Sequence, residues 1–322
     1  MSHTNPDTLA IVIPYYKIQY LKNLLDGLKN STSRDFKIYI GDDCSPEPPL
    51  EILENFKSSL DITYVRFENR LGHVSLAAHW NRCVELVKNE EWVWVIPDDD
   101  LPGDTCVAEF RSALKSRTDE IVNVFSIPAE FIDEHGIVTR AATPFNEPHE
   151  ALELYFKQLK GQLNPSCLGD NIFRRAVLIE KGGFPEFPKG WCSDHAAILI
   201  SCGKTRIHCL NSARFGFRQS PYNISSQNND GQEKMRARVM FAKWLRRNEH
   251  AFKTKPSADF YHQIYLKGEY YGLHIWQFSL RMVVELIKLR FVCNRSLNAA
   301  SIVYLFAKTK FFPDGIFSKR NA

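Results

Sequence analysis

Three groups of aspartates are where this chain could do chemistry. Asp98, Asp99 and Asp100 stand side by side after an apolar run, and a carboxylate triplet offers the oxygen ligands that a hard divalent cation prefers. Mg²⁺ or Mn²⁺ bound in this way keeps further positions for substrate phosphates. Read without a ligand, the triplet is a solvated, helix-capping turn. Three adjacent carboxylates repel one another, however, and a neutralising cation makes better sense of them after Trp92-Val-Trp-Val-Ile96. Asp42-Asp43 ends an earlier apolar run in the same manner. A carboxylate there could accept the ring N–H of a pyrimidine or a ribose hydroxyl, or could cap a turn before Cys44-Ser45-Pro46. Asp194 opens a helical stretch after a Gly-Gly-Phe-Pro loop, where complementarity to the helix dipole would by itself account for an acid.

The elements around these acids have a consistent pattern. Leu9 to Pro14 is a buried-strand run, and Leu21, Leu24, Leu25 and Leu28 follow at helical spacing. Residues 36–41, 62–67 and 92–96 read as three further strands. A helix face of Leu76, Trp80, Cys83, Val84 and Val87 lies before the last of them. Strands alternating with helices predict an α/β fold with a mostly parallel central sheet covered on both faces. Ligands of such sheets sit beyond the carboxyl ends of the strands, so both acid clusters should share one cleft. Beyond Leu114 come a strand at 121–127 and a hairpin around Asp133-Glu-His-Gly136. Helices follow near 150–159 and 174–180, the second stopped by Gly182-Gly183. A helix after Asp194 leads to a strand at 205–210. Residues 214–231, rich in Ser, Asn and Gln, read as a mobile loop, and the chain turns helical from Gln232 onward.

With 322 residues, 44% hydrophobic and 24% charged, the chain suits one large α/β domain with an appended segment. A net charge of +4 is far from the basic excess of a nucleic-acid footprint. The excess is concentrated at the end: from Lys267 onward nine Lys and Arg face three acids. There Trp276, Phe278, Met282 and Phe291 share a helix with Arg281, Lys288 and Arg290. That mixture suits an anionic membrane surface, and equally suits packing on the catalytic domain or on a second copy of the chain. Eight scattered cysteines without a CxxC pair argue against a zinc or disulfide framework. The start lacks a signal-type segment and no apolar run is long enough to span a bilayer. The expectation is a cytoplasmic protein, peripheral at the inner face of the membrane if the tail binds lipid. The Gly-rich phosphate loops of kinases and dehydrogenases are absent.

Several stretches, taken in order, resemble the inverting family 2 glycosyltransferases of the GT-A fold. Ala10-Ile-Val-Ile-Pro-Tyr-Tyr16 is similar to the family's opening strand and its "IPTYN" motif, with Tyr15 for Thr and Lys17 for Asn. Asp35-Phe-Lys-Ile-Tyr-Ile-Gly-Asp-Asp-Cys-Ser45 resembles "DFEIIIVDDGS". Glu68-Asn-Arg-Leu-Gly72 with Trp80-Asn81-Arg82-Cys83 resembles "N-x-x-G … NWNRC". Residues 92–100 match the DxD strand, and Gly182-Gly-Phe184 with Ser193-Asp194 resembles "GGFD … ED", with Ser in place of Glu.

The resemblance implies a GT-A catalytic domain over residues 1–230, with a donor-binding half to about residue 115, an acceptor-binding half over 116–230, and a helical C-terminal segment over 231–322. It implies a UDP- or dTDP-sugar donor, Mn²⁺ or Mg²⁺, a glycan or lipid-linked acceptor, and work in surface polysaccharide biosynthesis. Asp43 would accept from the base, with Pro14 and Tyr16 lining it. Asn81 and Asp98 would contact the donor, Arg218 would close over the diphosphate, Asp99 and Asp100 would hold the metal, and Asp194 would be the general base. Pro97 stands where many members carry the first acid, which leaves open which two aspartates of the triplet form the metal-binding pair. Two other readings stand beside this one. One is a sugar-nucleotide-binding module without catalysis. The other is a phosphatase of the haloacid dehalogenase type, which needs Thr or Val after the second Asp, where Leu101-Pro102 follows here.

Overall fold

The computed structural model describes residues 8–116, 121–145, 148–223, 230–257, 259–261 and 263–264. Its first half alternates β1 (Leu9–Tyr15), α1 (Leu21–Lys29), β2 (Lys37–Asp42), α2 (Leu50–Phe56), β3 (Ile62–Arg66), α3 (Leu76–Val84), β4 (Trp92–Val95), β5 (Leu101–Pro102) and α4 (Cys106–Lys115). The second half runs through β6 (Val122–Ser126), β7 (Ala129–Ile132), β8 (Val138–Arg140), β9 (His149–Glu150), α5 (Ala151–Leu159), β10 (Asn171–Arg174) and α6 (Arg175–Glu180). It ends with α7 (Ser193–Cys202), β11 (Arg206–Cys209), β12 (Phe215–Arg218) and α8 (Gly231–Arg247).

Eight strands form the central sheet in the order β3-β2-β1-β4-β10-β6-β11-β9. It is mostly parallel; β10 runs antiparallel to both neighbours and β9 antiparallel to β11. β1 is buried along its whole length because both of its faces are covered. Side chains alternate across a strand, so Leu9, Ile11, Ile13 and Tyr15 join one core with the leucines of α1 and with Val107 and Phe110 of α4. Ala10 and Val12 join the other core, together with residues of α3, α5 and α7. α8, which the sequence places in the C-terminal segment, adds Ala237, Phe241, Ala242 and Leu245 to that same core. No helix among the described residues is long and apolar enough to cross a membrane. Trp276, Phe278, Met282, Phe291 and their basic neighbours lie outside the described residues.

A second sheet, β5-β12-β7-β8, was only half legible in the sequence. The hairpin of β7 and β8 forms around Asp133, whose Oδ1 accepts from the N–H groups of His135 and Ile137 at 2.9 Å each. Residues 215–218 contradict the expectation of a loop over 214–231. They form β12, because Phe215 to Arg218 pair in parallel with Ala129 to Ile132 and antiparallel with β5. β10 was also missed, its four residues running directly into α6.

The sheets meet at Gly169, whose carbonyl accepts from the Trp94 indole N–H at 2.6 Å. A Cβ at this position would be driven into the Phe215 ring. Gly169→Ala is expected to cost about 1–3 kcal/mol of stability by overpacking, read from urea unfolding. An unchanged midpoint would show that the contact between the sheets is looser than described.

Candidate active site

Parallel register puts the carboxyl ends of β1, β2 and β4 on one edge: Tyr15 pairs with Asp42, and Asp43 N–H donates to the Tyr15 carbonyl at 3.0 Å. A cleft of about 670 Å³ opens there. Its lining includes Pro14, Tyr16 and Asp43 at one end, Asp98, Asp99 and Asp100 in the middle, and Asp194 with His195 at the other.

The three aspartates of the triplet differ in what they touch. Asp98 Oδ2 accepts from the backbone N–H groups of Tyr16 and Lys17, each at 2.7 Å, and so ties the β1–α1 loop to the end of β4. Burial, then the charge of Asp99, pushes its pKa up to about 7, against the pull of those two N–H groups. Asp100 is 1% exposed; its Oδ1 accepts from Arg218 N–H at 2.9 Å, while its Oδ2 is buried with no partner among the described residues. Burial, then the Asp99 charge, holds its carboxyl well above the usual range. Asp99 is half-buried in the cleft, and its carboxylate accepts no hydrogen bond from another described residue. Burial raises its pKa, and the charge of Lys17 opposes that rise.

Arg218, expected from the sequence to close over the diphosphate, is held away from the open cleft. It is 0% exposed and does not line the cleft. Its Nε donates to the Asp99 carbonyl at 2.8 Å, and its Nη1 donates to the carbonyls of Asp133 and Glu134 at 3.0 and 2.9 Å. The guanidinium also lies 4.4 Å from the Tyr20 ring centre, so it bolts the triplet to the second sheet from beneath. Asn81 is likewise spent elsewhere. Its carboxamide donates to the Phe184 carbonyl at 2.9 Å and accepts from Phe184 N–H at 2.8 Å, which clamps the Gly182-Gly183 loop to α3 outside the cleft lining.

At the β2 end, Asp43 is 3% exposed yet forms part of the cleft wall. It accepts from Leu71 N–H at 2.7 Å and Gly72 N–H at 2.9 Å and pairs with Arg82. A Cβ at Gly72 would stand 2.7 Å from Asp43 Oδ2, so the close approach needs glycine. Burial lowers the neighbouring His79 to about 4, leaving Arg82 as the cation that balances Asp43. Arg70, inside the Asn-Arg-Leu-Gly stretch, lies 4.2 Å from the Tyr16 ring centre and lines the cleft with it. Its part in the wall could have been read from that motif.

At the far end, Asp194 occupies the first turn of α7, where the macrodipole favours negative charge. Its Oδ1 accepts from His195 N–H at 2.8 Å and lies 2.9 Å from His195 Nδ1; Oδ2 takes no hydrogen bond from a described residue. The His195 ring packs 4.5 Å from that of Tyr155. Beneath this end lies Asp170, unnoticed in the sequence. It accepts from Ser166 Oγ at 2.7 Å, and burial, reinforced by the Asp194 charge, pushes its pKa well up.

A cation fits the middle of the cleft on two observations: a buried carboxylate oxygen of Asp100 without a partner, and the Asp99 carboxylate open to the cavity. Among the described residues no three His, Cys, Asp or Glu side chains enclose a metal ion by themselves. That suits a Mg²⁺- or Mn²⁺-type site, in which one or two carboxylates share the ion with substrate phosphates.

Comparison with known proteins follows the same outline. The description "Glycosyl transferase family 2" matches residues 10–181. Among solved structures, residues 1–349 of Staphylococcus aureus TarS in complex with UDP-GlcNAc are similar at 16% identity and a TM-score of 0.67, covering 94% of this chain and 87% of that one. The UDP complex of the same protein gives 15%, 0.64, 94% and 87%. The mannosyltransferase PcManGT from Pyrobaculum calidifontis, with GDP-Man and Mn²⁺, gives 13%, 0.52, 95% and 88%. No curated protein sequence matches. The fold is of the GT-A type, and the chain belongs to glycosyl transferase family 2.

Proposed function

We propose that this protein is a metal-dependent, inverting glycosyltransferase that moves a sugar from a nucleoside diphosphate to a hydroxyl of a glycan or lipid-linked acceptor. The observation that carries the reading is the single cleft in which Asp43, Asp99 and Asp194 arrive from β2, the end of β4 and the start of α7. UDP or dTDP is the favoured nucleotide, because Asp43 keeps acceptor capacity toward a pyrimidine N–H beside Tyr16 and Arg70. The UDP complex of TarS supports that choice. The GDP-Man complex of PcManGT shows that a purine donor binds within the same fold.

In this reading Asp99 and Asp100 hold the divalent cation. When bound, it supplies positive charge for the departing diphosphate without a proton donor. Asp98 is a positioning residue for the Tyr16–Lys17 backbone that borders the donor. Asp194 takes the acceptor proton: His195 occupies Oδ1 and orients the carboxylate, leaving Oδ2 for the hydroxyl. The acceptor oxygen forms its bond to the anomeric carbon as the bond to the diphosphate oxygen breaks on the opposite face. One base and no covalent nucleophile give inversion. Trp191 and Tyr155 wall this end of the cleft, and their rings suit a sugar acceptor. The place in surface polysaccharide biosynthesis and at the membrane rests on the family resemblance.

Asp194→Asn is expected to lower kcat by about 10²- to 10⁴-fold with donor affinity within about twofold of wild type, measured by nucleoside diphosphate release and calorimetry. Wild-type turnover in that variant would remove the assignment of Asp194 as the base, and nucleotide binding by the wild-type protein without any turnover would favour a binding module. Asp99→Ala is expected to abolish the gain in nucleotide affinity that Mn²⁺ gives the wild-type protein, and an equal gain in both would place the cation elsewhere.

A further inference from the structure

Lys17 takes no part in the function proposed above, yet it sits against its centre. Its backbone N–H is held by Asp98, so the residue keeps its place beside the triplet whatever its side chain. Its ammonium lines the cleft and donates to the carbonyl of Tyr222, which lines the same cleft and is 52% exposed. Its charge bears on both Asp98 and Asp99. The other cation close to the triplet, Arg218, is buried beneath it and bound to backbone carbonyls. Arg70 lies over the Tyr16 ring, and Arg238 lies 5.9 Å from the Trp191 ring centre at the opposite end.

An ammonium gains by exchanging a neutral carbonyl for a phosphate oxygen, since the new acceptor carries opposite charge and Coulomb attraction adds to the hydrogen bond. We infer that Lys17 is a donor-binding residue of this chain, its ammonium leaving the Tyr222 carbonyl to pair with the distal phosphate of the nucleoside diphosphate beside Asp99. The inference rests on the donor-site reading. It adds a fixed positive charge to the leaving group at a position where the motif that the chain otherwise resembles carries Asn. As the bond to the anomeric carbon breaks and its electron pair stays on the phosphate oxygen, Lys17 stabilises that charge and gives up no proton.

The test is calorimetry of UDP, dTDP and GDP and of their monophosphates, with and without Mn²⁺, on wild type, Lys17→Asn and Lys17→Arg. Lys17→Asn should lose about tenfold in affinity for the preferred diphosphate and stay within about twofold for its monophosphate, and Lys17→Arg should recover most of the loss. Equal losses for diphosphate and monophosphate, or no loss for either, would overturn the role of Lys17 while leaving the donor site standing. A wild-type protein that binds none of the diphosphates would remove the donor site and Lys17 with it.

Discussion

A buried guanidinium under three consecutive carboxylates is the constraint on which the site depends. Arg218 is stripped of water, a position that costs several kcal/mol unless its donors are satisfied. Three carbonyls and the Tyr20 ring meet part of that need through Nε, Nη1 and the ring face, while Nη2 has no hydrogen-bond partner among the described residues. These contacts join the end of β4 to the second sheet. The triplet is held from the other side by Asp98, which grips the backbone at Tyr16 and Lys17. Asp98 is thereby spent on position, Asp100 keeps one carboxylate oxygen without a partner among the described residues, and Asp99 is left open to the cleft. Hydrogen bonding, which the motif does not report, sets the three acids apart from one another.

The rest of the site follows from topology. Parallel β1, β2 and β4 deliver Asp43 and the triplet to one edge because each strand ends there. Asp194 comes from far along the chain, brought in by the first turn of α7 and by the loop that Asn81 clamps to α3. Asp43 is over-determined by two backbone N–H groups and Arg82, so it enters the cleft as a fixed acceptor. In the proposed reading, a rigid acceptor at one end and an oriented carboxylate at the other are what an ordered displacement between them requires.

Much of this was legible before folding. The leucines of α1 and the apolar runs of β1, β2 and β4 report their own burial, and acids directly after such runs must lie at a strand end. What escaped was set by contacts distant in sequence. Phe215–Arg218 sits among Ser, Asn and Gln and becomes a strand only because β5 and β7 flank it. For Arg218 and Asn81, residue type reveals a hydrogen-bonding capacity but not the partner that uses it; here backbone carbonyls engage Nε and Nη1 of Arg218, and the Phe184 backbone engages Asn81. Asp170 carries no motif, and its position beneath Asp194 exists only once residues 166–171 are folded.

The division of labour within the triplet is the central claim, and paired stability and turnover measurements on Asp98→Ala and Asp99→Ala test it most directly. Asp98→Ala strands two backbone N–H groups and should cost about 1–3 kcal/mol in urea unfolding. Asp99→Ala should leave the unfolding midpoint unchanged or raise it, because it removes a repelling charge, while turnover disappears. An Asp99→Ala protein that is destabilised and still turns over, beside an Asp98→Ala protein of unaltered stability, would contradict the account.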